Sequence, residues 1–256
     1  MSSTFAKGLK LLETLCLMRE PIGISELAVQ ADMNLSAVQR LLSTLVELGY
    51  AEQDPKSRRY SATLMSWEIG SQVLRDHAYL RAVHPILRAA AQDTGFTAYF
   101  ILNNAPFVTY FDKVEGVNGL THSSVLGTSV PIMLTAAGLA IISFLDDDQF
   151  QALASPGVRG GSHFPGIDLP SIQHKVQEVR QKRYAVSESG FRKAVNSVAA
   201  PVWAADGRVC GSIAITADEN ELKTSDFTIV GSKVIKWAEQ ATTILGGQSY
   251  PRSFYA

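Results

Sequence analysis

The stretch NLSAVQRLLSTLVELGYAEQDPKSRRYSA, residues 34–62, decides the fold of the N-terminal part of the chain. Its first half places apolar side chains at helical spacing on one face, namely Val38, Leu41, Leu42 and Leu45. Asn34 or Ser36 offers an N-cap and Gly49 a C-terminal stop, so the pattern predicts a helix between them. Two short segments joined by a polar turn follow, near Tyr50 and Tyr60, and they predict a small antiparallel hairpin.

The residues before this stretch predict two further helices. Leu9, Leu12, Leu15 and Cys16 recur at helical spacing, so we expect them to form one buried stripe on a first helix. The segment ISELAVQA, residues 24–31, predicts a short second helix. Two helices joined by a tight connection and followed by a hairpin make a winged helix-turn-helix, which we assign to residues 1–63.

The solvent-facing side of the third helix predicts contact with DNA. It offers small polar groups and one cation, which suit base edges in the major groove, and it consists of Ser36, Ala37, Gln39, Arg40 and Ser43. The hairpin turn adds three cations for phosphates or the minor groove, namely Lys56, Arg58 and Arg59. Residues 1–63 hold seven basic and seven acidic side chains, so a protein-interaction module is the alternative interpretation.

The composition is that of an ordinary soluble globular protein. Of the 256 residues, 46% are hydrophobic and 18% are charged, and the net charge is −1. Overall charge therefore does not draw the chain to nucleic acid, and such binding depends on where the cations lie. No apolar run is long enough to span a membrane, and Lys10 and Glu13 interrupt what would otherwise look like a signal peptide. We expect a cytoplasmic protein that does not bind membranes.

Residue types that hold metals or act in catalysis are scattered along the chain. Cys16 and Cys210 lack a CxxC spacing, which argues against a disulfide framework or a zinc site, and we expect both thiols to be buried. No HExxH or GxSxG motif is present, and the Gly-rich residues 157–166 lack the ending of a phosphate loop. We therefore predict no catalytic residues, no metal and no cofactor. The competing hypothesis is a small-molecule-binding enzyme or sensor with a helical interaction module that never touches DNA.

The remainder of the chain predicts further helices and a second domain. Residues 64–79 are helical by composition, with a break near His77, and lie between the two predicted domains. Strand candidates rich in β-branched and aromatic residues follow at 97–104, 106–114, 119–126, 184–188, 196–204 and 208–216. Helices are expected at about 134–145, 170–183 and 225–245. Because successive strands are joined by hairpins, we predict an α+β domain with an antiparallel sheet over 80–248, and a tail at 249–256.

The segment ISELAVQADMNLSAVQRLLSTLVELGYAEQDPKSRRYSA, residues 24–62, resembles the DNA-binding domain of IclR-type bacterial transcription regulators. The shared pattern comprises SELA at 25–28, RLL at 40–42, LGY at 48–50 and RY at 59–60. GTSVPIMLTAAGLAIISFL at 127–145 and AAPVWAADGRVCGSIAIT at 199–216 are similar to segments of the family's C-terminal domain. The resemblance implies a GAF-like effector-binding domain and a regulator that binds operator DNA as a dimer or a dimer of dimers.

The resemblance also implies where an effector binds. It places effector contacts at Val130, Ala136, Ala137, Ser187, Ser197, Ala214 and Thr216. Because Ser187 stands where the family often has an acid, we expect a less acidic pocket. The small residues Ala136, Ala137 and Gly138 also open a helix, and a helix N-terminus suits an anion. We predict a small organic acid as effector, aromatic acids included, with its carboxylate near these amides. Tight helix–sheet packing is the alternative reason for the small residues.

Overall fold

The computed structural model describes residues 3–75, 78–119, 124–154 and 169–250. The chain divides into two compact units, Met1–His77 and Ala78–Ala256. The first unit consists of α1 (Thr4–Leu17), α2 (Ile24–Ala31), α3 (Leu35–Glu47), β1 (Ala51–Gln53), β2 (Tyr60–Ala62) and α4 (Met65–Arg75). Three helices and a hairpin in this order confirm the predicted winged helix-turn-helix.

The third helix forms as its sequence indicates. The side chain of Asn34 caps it by accepting a hydrogen bond from the Ala37 N–H at 2.9 Å. Gly49, just past the helix, has a φ of 80°, a left-handed conformation that favours glycine and ends the helix. The predicted apolar face is buried and packs against α1 and α2, and it comprises Val38, Leu41, Leu42 and Leu45.

The buried face of α1 differs from the predicted stripe. Leu11 and Leu15 are buried, whereas Leu9 and Cys16 are exposed. This helix is apolar on two neighbouring faces, and packing against α2 and α3 buries the face that carries Leu11 and Leu15. The expectation that Cys16 is a buried thiol is therefore wrong. Phe5, one turn before Leu9, is 75% exposed and extends the uncovered apolar stripe.

The hairpin forms in the predicted register and is attached to the helical core. β1 and β2 pair antiparallel, with Ala51 opposite Ala62. Tyr60 also exchanges two backbone hydrogen bonds with Ile22, in the connection before α2, at 2.8 and 2.9 Å. The wing is thus held by its own ladder and by the segment that enters the helix-turn-helix.

The second unit is an antiparallel sheet with helices on both faces. In chain order it consists of α5 (Ala78–Thr94), β3 (Thr97–Asn104), β4 (Phe107–Val114), β5 (Ser129–Pro131), α6 (Ala136–Ile142), α7 (Asp147–Ala154), α8 (Leu169–Lys182), β6 (Ala185–Glu188), β7 (Val195–Trp203), β8 (Val209–Asp218) and α9 (Phe227–Ile244). Within the described ranges the strand order is β5-β4-β3-β8-β7-β6. One core lies between the sheet and α5 with α9, and another between the sheet and α6 with α8. The predicted α+β domain is confirmed.

The third strand of this sheet lies later in the chain than predicted. β5 occupies Ser129–Pro131, and the described ends of the predicted segment, Gly119 and Ser124–Leu126, are not strand. Val130 is buried opposite Val108 of β4, and this pairing determines which residues form β5. Residues 120–123 lie outside the described residues, as do His77, near which the helix break was predicted, and the Gly-rich residues 157–166.

The chain end contributes to the second unit as far as Tyr250. The Tyr250 ring lies 4.6 Å from the Trp203 ring, centroid to centroid, and its hydroxyl donates to the Arg183 carbonyl at 3.0 Å. Trp203 is fully buried in the core beside α6. Tyr250 of the predicted tail therefore packs onto this unit, and residues 251–256 lie outside the described part of the chain.

Candidate functional site

The first candidate site is the outer side of α3. Its side chains point away from the packed face of the helix, and all are exposed except the half-buried Ala37; they are Ser36, Ala37, Gln39, Arg40 and Ser43. The Ser36 hydroxyl donates to Asn34 Oδ1 at 3.1 Å, so the cap also holds this side chain. Four hydrogen-bonding or cationic groups on a solvent-facing helix can reach base edges in a major groove.

The wing tip is a tight turn organised by Asp54. Its Oδ1 accepts hydrogen bonds from the Lys56 N–H at 3.0 Å and from the N–H and hydroxyl of Ser57 at 2.6 and 2.8 Å. These bonds, the Ser57 backbone bond first, lower the pKa of Asp54 and keep the carboxylate ionised within the turn. Lys56 and Arg58 are exposed beside it. The turn thus presents two cations to solvent on a stiff backbone.

Arg59 differs from the other two wing cations because its side chain is bound to other residues of the first unit. Its Nε donates to the Pro21 carbonyl at 2.7 Å, and its Nη2 donates to Glu26 Oε2 at 2.7 Å. The guanidinium is therefore already paired with an acid and a carbonyl of its own unit. Sequence reasoning grouped Arg59 with Lys56 and Arg58 because the three are neighbours in the turn, and it did not detect the partner that lies 33 residues away.

The second candidate site is a cavity in the second unit, on the α6 side of the sheet. Its empty volume, mouth included, is about 480 Å³. Thirteen of the described residues line it: Tyr99, Ile101, Tyr110, Ser124, Thr135, Ala136, Ala137, Ser187, Phe191, Arg192, Val195, Ser197 and Thr216. Strands β3, β4, β6, β7 and β8 form its floor, and the start of α6 forms one wall.

Five of the eight predicted effector contacts meet in this cavity, namely Ala136, Ala137, Ser187, Ser197 and Thr216. The other three lie elsewhere. Val130 and Ala214 are buried in the core beneath, and Gly138 faces the backbone of Ile132, where a Cβ would lie 1.6 Å from the carbonyl oxygen. The small residue at 138 therefore permits the close approach of α6 to the Ile132 carbonyl, and its contact with an effector stays a prediction.

The polar floor of the cavity is a row of hydroxyls that the strand register aligns. Ser187 pairs with Ser197, and Ser197 pairs with Thr216, on three adjacent strands. The Ser197 and Thr216 oxygens are 3.2 Å apart, within hydrogen-bonding distance. Alternating positions on neighbouring strands share a face, so this row was detectable once the strands had been predicted.

The ring wall and the cation of the cavity were missed by sequence reasoning. Tyr99 and Tyr110 face each other edge to face, with ring centroids 5.2 Å apart, and the Tyr99 hydroxyl accepts from the Ser124 N–H at 3.0 Å. Phe191 and Arg192 come from the turn between β6 and β7. Aromatic residues in strands usually indicate core, so no local signal separated these rings from packing residues.

The N-terminus of α6 is partly occupied by its own cap. The Thr135 hydroxyl accepts from the Gly138 N–H at 3.0 Å, so this amide is not available to a carboxylate. The helix itself offers no acceptor to the N–H groups of its first residues, which include Ala136 and Ala137. The predicted anion contact is therefore restricted to these two amides.

The described His and Cys residues do not form a metal or nucleophile site. His84 Nδ1 lies 2.9 Å from Oδ2 of the buried Asp112, and Cys210 is half-buried and donates to the Val202 carbonyl. Burial raises the pKa of the Cys210 thiol to about 11, so it is protonated at neutral pH. Across the described ranges, no cluster of three or more His, Cys, Asp or Glu is placed to hold a metal ion. His77, His122 and His163 lie outside those ranges.

Family models match both units of the chain. The model described as bacterial transcriptional regulator IclR C-terminal matches residues 71–243, more than half of the chain, and the IclR helix-turn-helix domain matches residues 4–55. The chain belongs to the IclR family. Members of this family are transcriptional regulators, which confirms the resemblance inferred from the sequence and assigns a DNA-binding regulator instead of an enzyme.

Curated relatives of this IclR-family chain are repressors and regulators of nearly equal length. The acetate operon repressor of Salmonella typhimurium is 24% identical over 247 residues, which cover 95% of this chain and 90% of that protein. The HTH-type transcriptional regulator KdgR of Escherichia coli is 26% identical over 215 residues, covering 84% and 81%.

Solved structures of IclR-family proteins share the fold over almost the whole chain. The regulator from Brucella abortus aligns with a TM-score of 0.80 at 20% identity, covering 95% of this chain and 92% of that one. An IclR homologue from Microbacterium hydrocarbonoxydans, complexed with 4-hydroxybenzoate, aligns with a TM-score of 0.72 at 14% identity, covering 95% and 99%. In the described part of this IclR-family chain, no helix combines the length and apolarity needed to cross a bilayer.

Proposed function

We propose that this IclR-family regulator is controlled by a small aromatic carboxylate that binds the cavity of the second unit. The observation that carries the proposal is the composition of the cavity. Rings form one wall, hydroxyls form the floor, and Arg192 is the one lining residue with a formal charge among those described. A concave site lined by rings and a few convergent polar groups is typical of a small-molecule site.

The ring wall supports an aromatic ligand. Tyr99 and Tyr110 already pack edge to face, and Phe191 adds a third ring that is 40% exposed at the cavity. A ligand ring can join such a cluster in an edge-to-face or offset arrangement, which contributes beyond the apolar area that it buries. An aliphatic acid would bury less area and would lack this contribution.

The charge of the cavity lining supports an anionic effector. Arg192 presents a planar guanidinium that pairs with a carboxylate through two parallel hydrogen bonds, and the hydroxyls of Ser187, Ser197 and Thr216 supply further donors. No lining acid among the described residues opposes a negative charge. The bound 4-hydroxybenzoate of the Microbacterium hydrocarbonoxydans homologue is an aromatic carboxylate, and it guides the choice of probe.

Calorimetric titration of the full-length protein tests this proposal. We expect benzoate and 4-hydroxybenzoate to bind, and benzyl alcohol, which keeps the ring but lacks the carboxylate, to bind much more weakly. Thr216→Val should reduce the affinity whereas Thr216→Ser should retain it, because only the second keeps the hydroxyl. Ala137→Leu should fill the cavity and abolish binding. Equal affinities for acid and alcohol, or full binding by the Ala137→Leu protein, would exclude the proposed site.

We propose that the protein reads operator DNA with the outer side of α3 and the wing tip. The support is the exposure of Ser36, Gln39, Arg40 and Ser43 around the half-buried Ala37 on one helical face, with Lys56 and Arg58 exposed at the tip. Control of DNA binding by an effector requires the ligand to bind the DNA-bound and unbound forms with different affinity. Fluorescence anisotropy with an operator duplex, with and without 4-hydroxybenzoate, measures this coupling directly; identical affinities would contradict it.

We further propose that the regulator acts as a dimer or a dimer of dimers in the cytoplasm. The support within the first unit is the exposed apolar stripe of α1, Phe5 and Leu9, which a second copy could cover. Residues 64–79 are proposed to link this unit to the effector domain. Light scattering of the Phe5→Ser plus Leu9→Ser protein should show a smaller assembly than the wild type. An unchanged mass would place the contact elsewhere.

A further inference from the structure

The guanidinium of Arg59 donates two hydrogen bonds to residues at the start of α2 and in the segment before it. Its Nε donates to the Pro21 carbonyl and its Nη2 to Glu26 Oε2, each at 2.7 Å. The two side chains are 44% and 59% exposed, so solvent screens the attraction and the pair adds little to the stability of the unit. The pair therefore matters for geometry. Because the planar guanidinium is bound to two fixed acceptors, it fixes the direction and the distance of the wing backbone at Arg59 relative to α2.

The acceptor carboxylate is itself fixed to the helix. Glu26 lies in the first turn of α2, and its Oε2 also accepts from the Gly23 N–H at 3.3 Å, which caps the start of the helix. The residue after Arg59, Tyr60, exchanges both backbone hydrogen bonds with Ile22. Two consecutive residues of the wing are thus joined to the entrance of the helix-turn-helix, one through its side chain and one through its backbone.

The neighbouring wing cations differ in this respect. Lys56 and Arg58 are exposed and form no ion pair with any residue that the structure describes. If Arg59 turned to a phosphate instead, it would leave the Pro21 carbonyl and the Glu26 carboxylate without their partner. That carboxylate would then face an anionic strand, and the repulsion would oppose binding.

We propose that Arg59 and Glu26 are positioning residues that hold the wing against α2, and that Arg59 does not neutralise a DNA phosphate. The pair sets where Lys56 and Arg58 lie when α3 occupies the major groove. This inference rests on the proposed DNA-reading face, and it replaces the sequence prediction that Arg59 contacts DNA.

The salt dependence of DNA binding separates positioning from phosphate contact. Each phosphate neutralised contributes about 0.9 to the slope of log affinity against log salt. The probe is the duplex that the wild-type full-length protein selects from a random pool, and the readout is fluorescence anisotropy across a salt series. Arg58→Ala is the matched control and should reduce the slope by about 0.9. In Arg59→Ala the wing can still bring Lys56 and Arg58 to their phosphates, but binding must now also order the wing. Arg59→Ala should therefore weaken binding by a similar factor at every salt concentration, with the wild-type slope.

Two further variants keep the test decisive if Arg59→Ala unfolds the wing. Arg59→Lys keeps the charge but lacks the planar guanidinium, so we expect it to weaken binding as Arg59→Ala does. If Arg59 contacted a DNA phosphate, lysine would be tolerated at this position. Glu26→Gln removes a negative charge near DNA, which by charge alone would tighten binding; the positioning role predicts weaker binding.

A reduced slope in Arg59→Ala, full affinity in Arg59→Lys, or tighter binding by Glu26→Gln would each overturn the inference. An unchanged slope in Arg58→Ala would instead overturn the proposed wing contact.

Discussion

Gly138→Ala reverses the usual effect of replacing a helical glycine. In a helix interior the change to alanine ordinarily stabilises by about 1 kcal/mol. At position 138 the new Cβ would lie 1.6 Å from the Ile132 oxygen and 2.5 Å from its carbonyl carbon. Because both contacts are with backbone, α6 or the segment before it must move by more than an ångström. Overpacking of a rigid site typically costs 1–3 kcal/mol and occasionally more, so we expect a net loss of about 3 kcal/mol.

Thermal unfolding measures this loss. For a unit of this size, 1 kcal/mol shifts the midpoint by about 2–4 °C, so the second unit should unfold roughly 6–12 °C earlier. Trp203, buried in that unit, reports the transition by fluorescence. Gly70→Ala in α4 is the matched control, because a Cβ there meets nothing within 4 Å, and it should stabilise the first unit. A Gly138→Ala protein with the wild-type midpoint but no effector binding would refute the packing argument and restore a ligand-approach role for Gly138.

Four further outcomes follow from particular residues. Thr135→Val should destabilise the second unit by about 1–2 kcal/mol in chemical denaturation, because it removes the cap of the Gly138 N–H, whereas Thr135→Ser should not. Maleimide should label the exposed Cys16 rapidly at neutral pH and Cys210 slowly, since burial raises the pKa of Cys210 from 9.0 to about 11; equal labelling rates by mass spectrometry would contradict this. With its folded-state pKa raised, the neutral Cys210 thiol stabilises fully below pH 9.0, and this contribution should be lost as the pH rises through about 11 unless the residue is replaced by alanine. Arg40→Ala should relax discrimination between operator variants by about 1–3 kcal/mol per lost base contact, measured by competition anisotropy, whereas uniform weakening would point to a phosphate contact.

The parts of the fold that local interactions specify were predictable from the sequence. The signals for α3 all lie within residues 34–49 and agree: the cap at Asn34, the stop at Gly49 and the buried face between them. The hairpin after it needs only the pairing of Ala51 with Ala62 across a short turn. Short-range caps, turns and periodicity sufficed because the groups that interact are close in the chain.

The candidate cavity was predictable only in part. The hydroxyl row of Ser187, Ser197 and Thr216 follows from strand alternation, and its members coincide with positions implied by the family resemblance. Tyr110 and Arg192 gave no comparable signal, because an aromatic residue in a strand and an arginine in a turn are each common outside binding sites. Their convergence depends on how β4 and the β6–β7 turn are placed beside α6.

The sequence by itself determined the helix-turn-helix, the α+β class of the second unit and the family to which the chain belongs. Only the tertiary structure decided which face of α1 is buried, that Gly138 packs against a carbonyl and that Arg59 is paired with Glu26. The physical reason is the range of the interactions. The sequence shows that a helix face is apolar or that a residue is cationic. The partner that buries the face or neutralises the residue comes from a distant part of the chain.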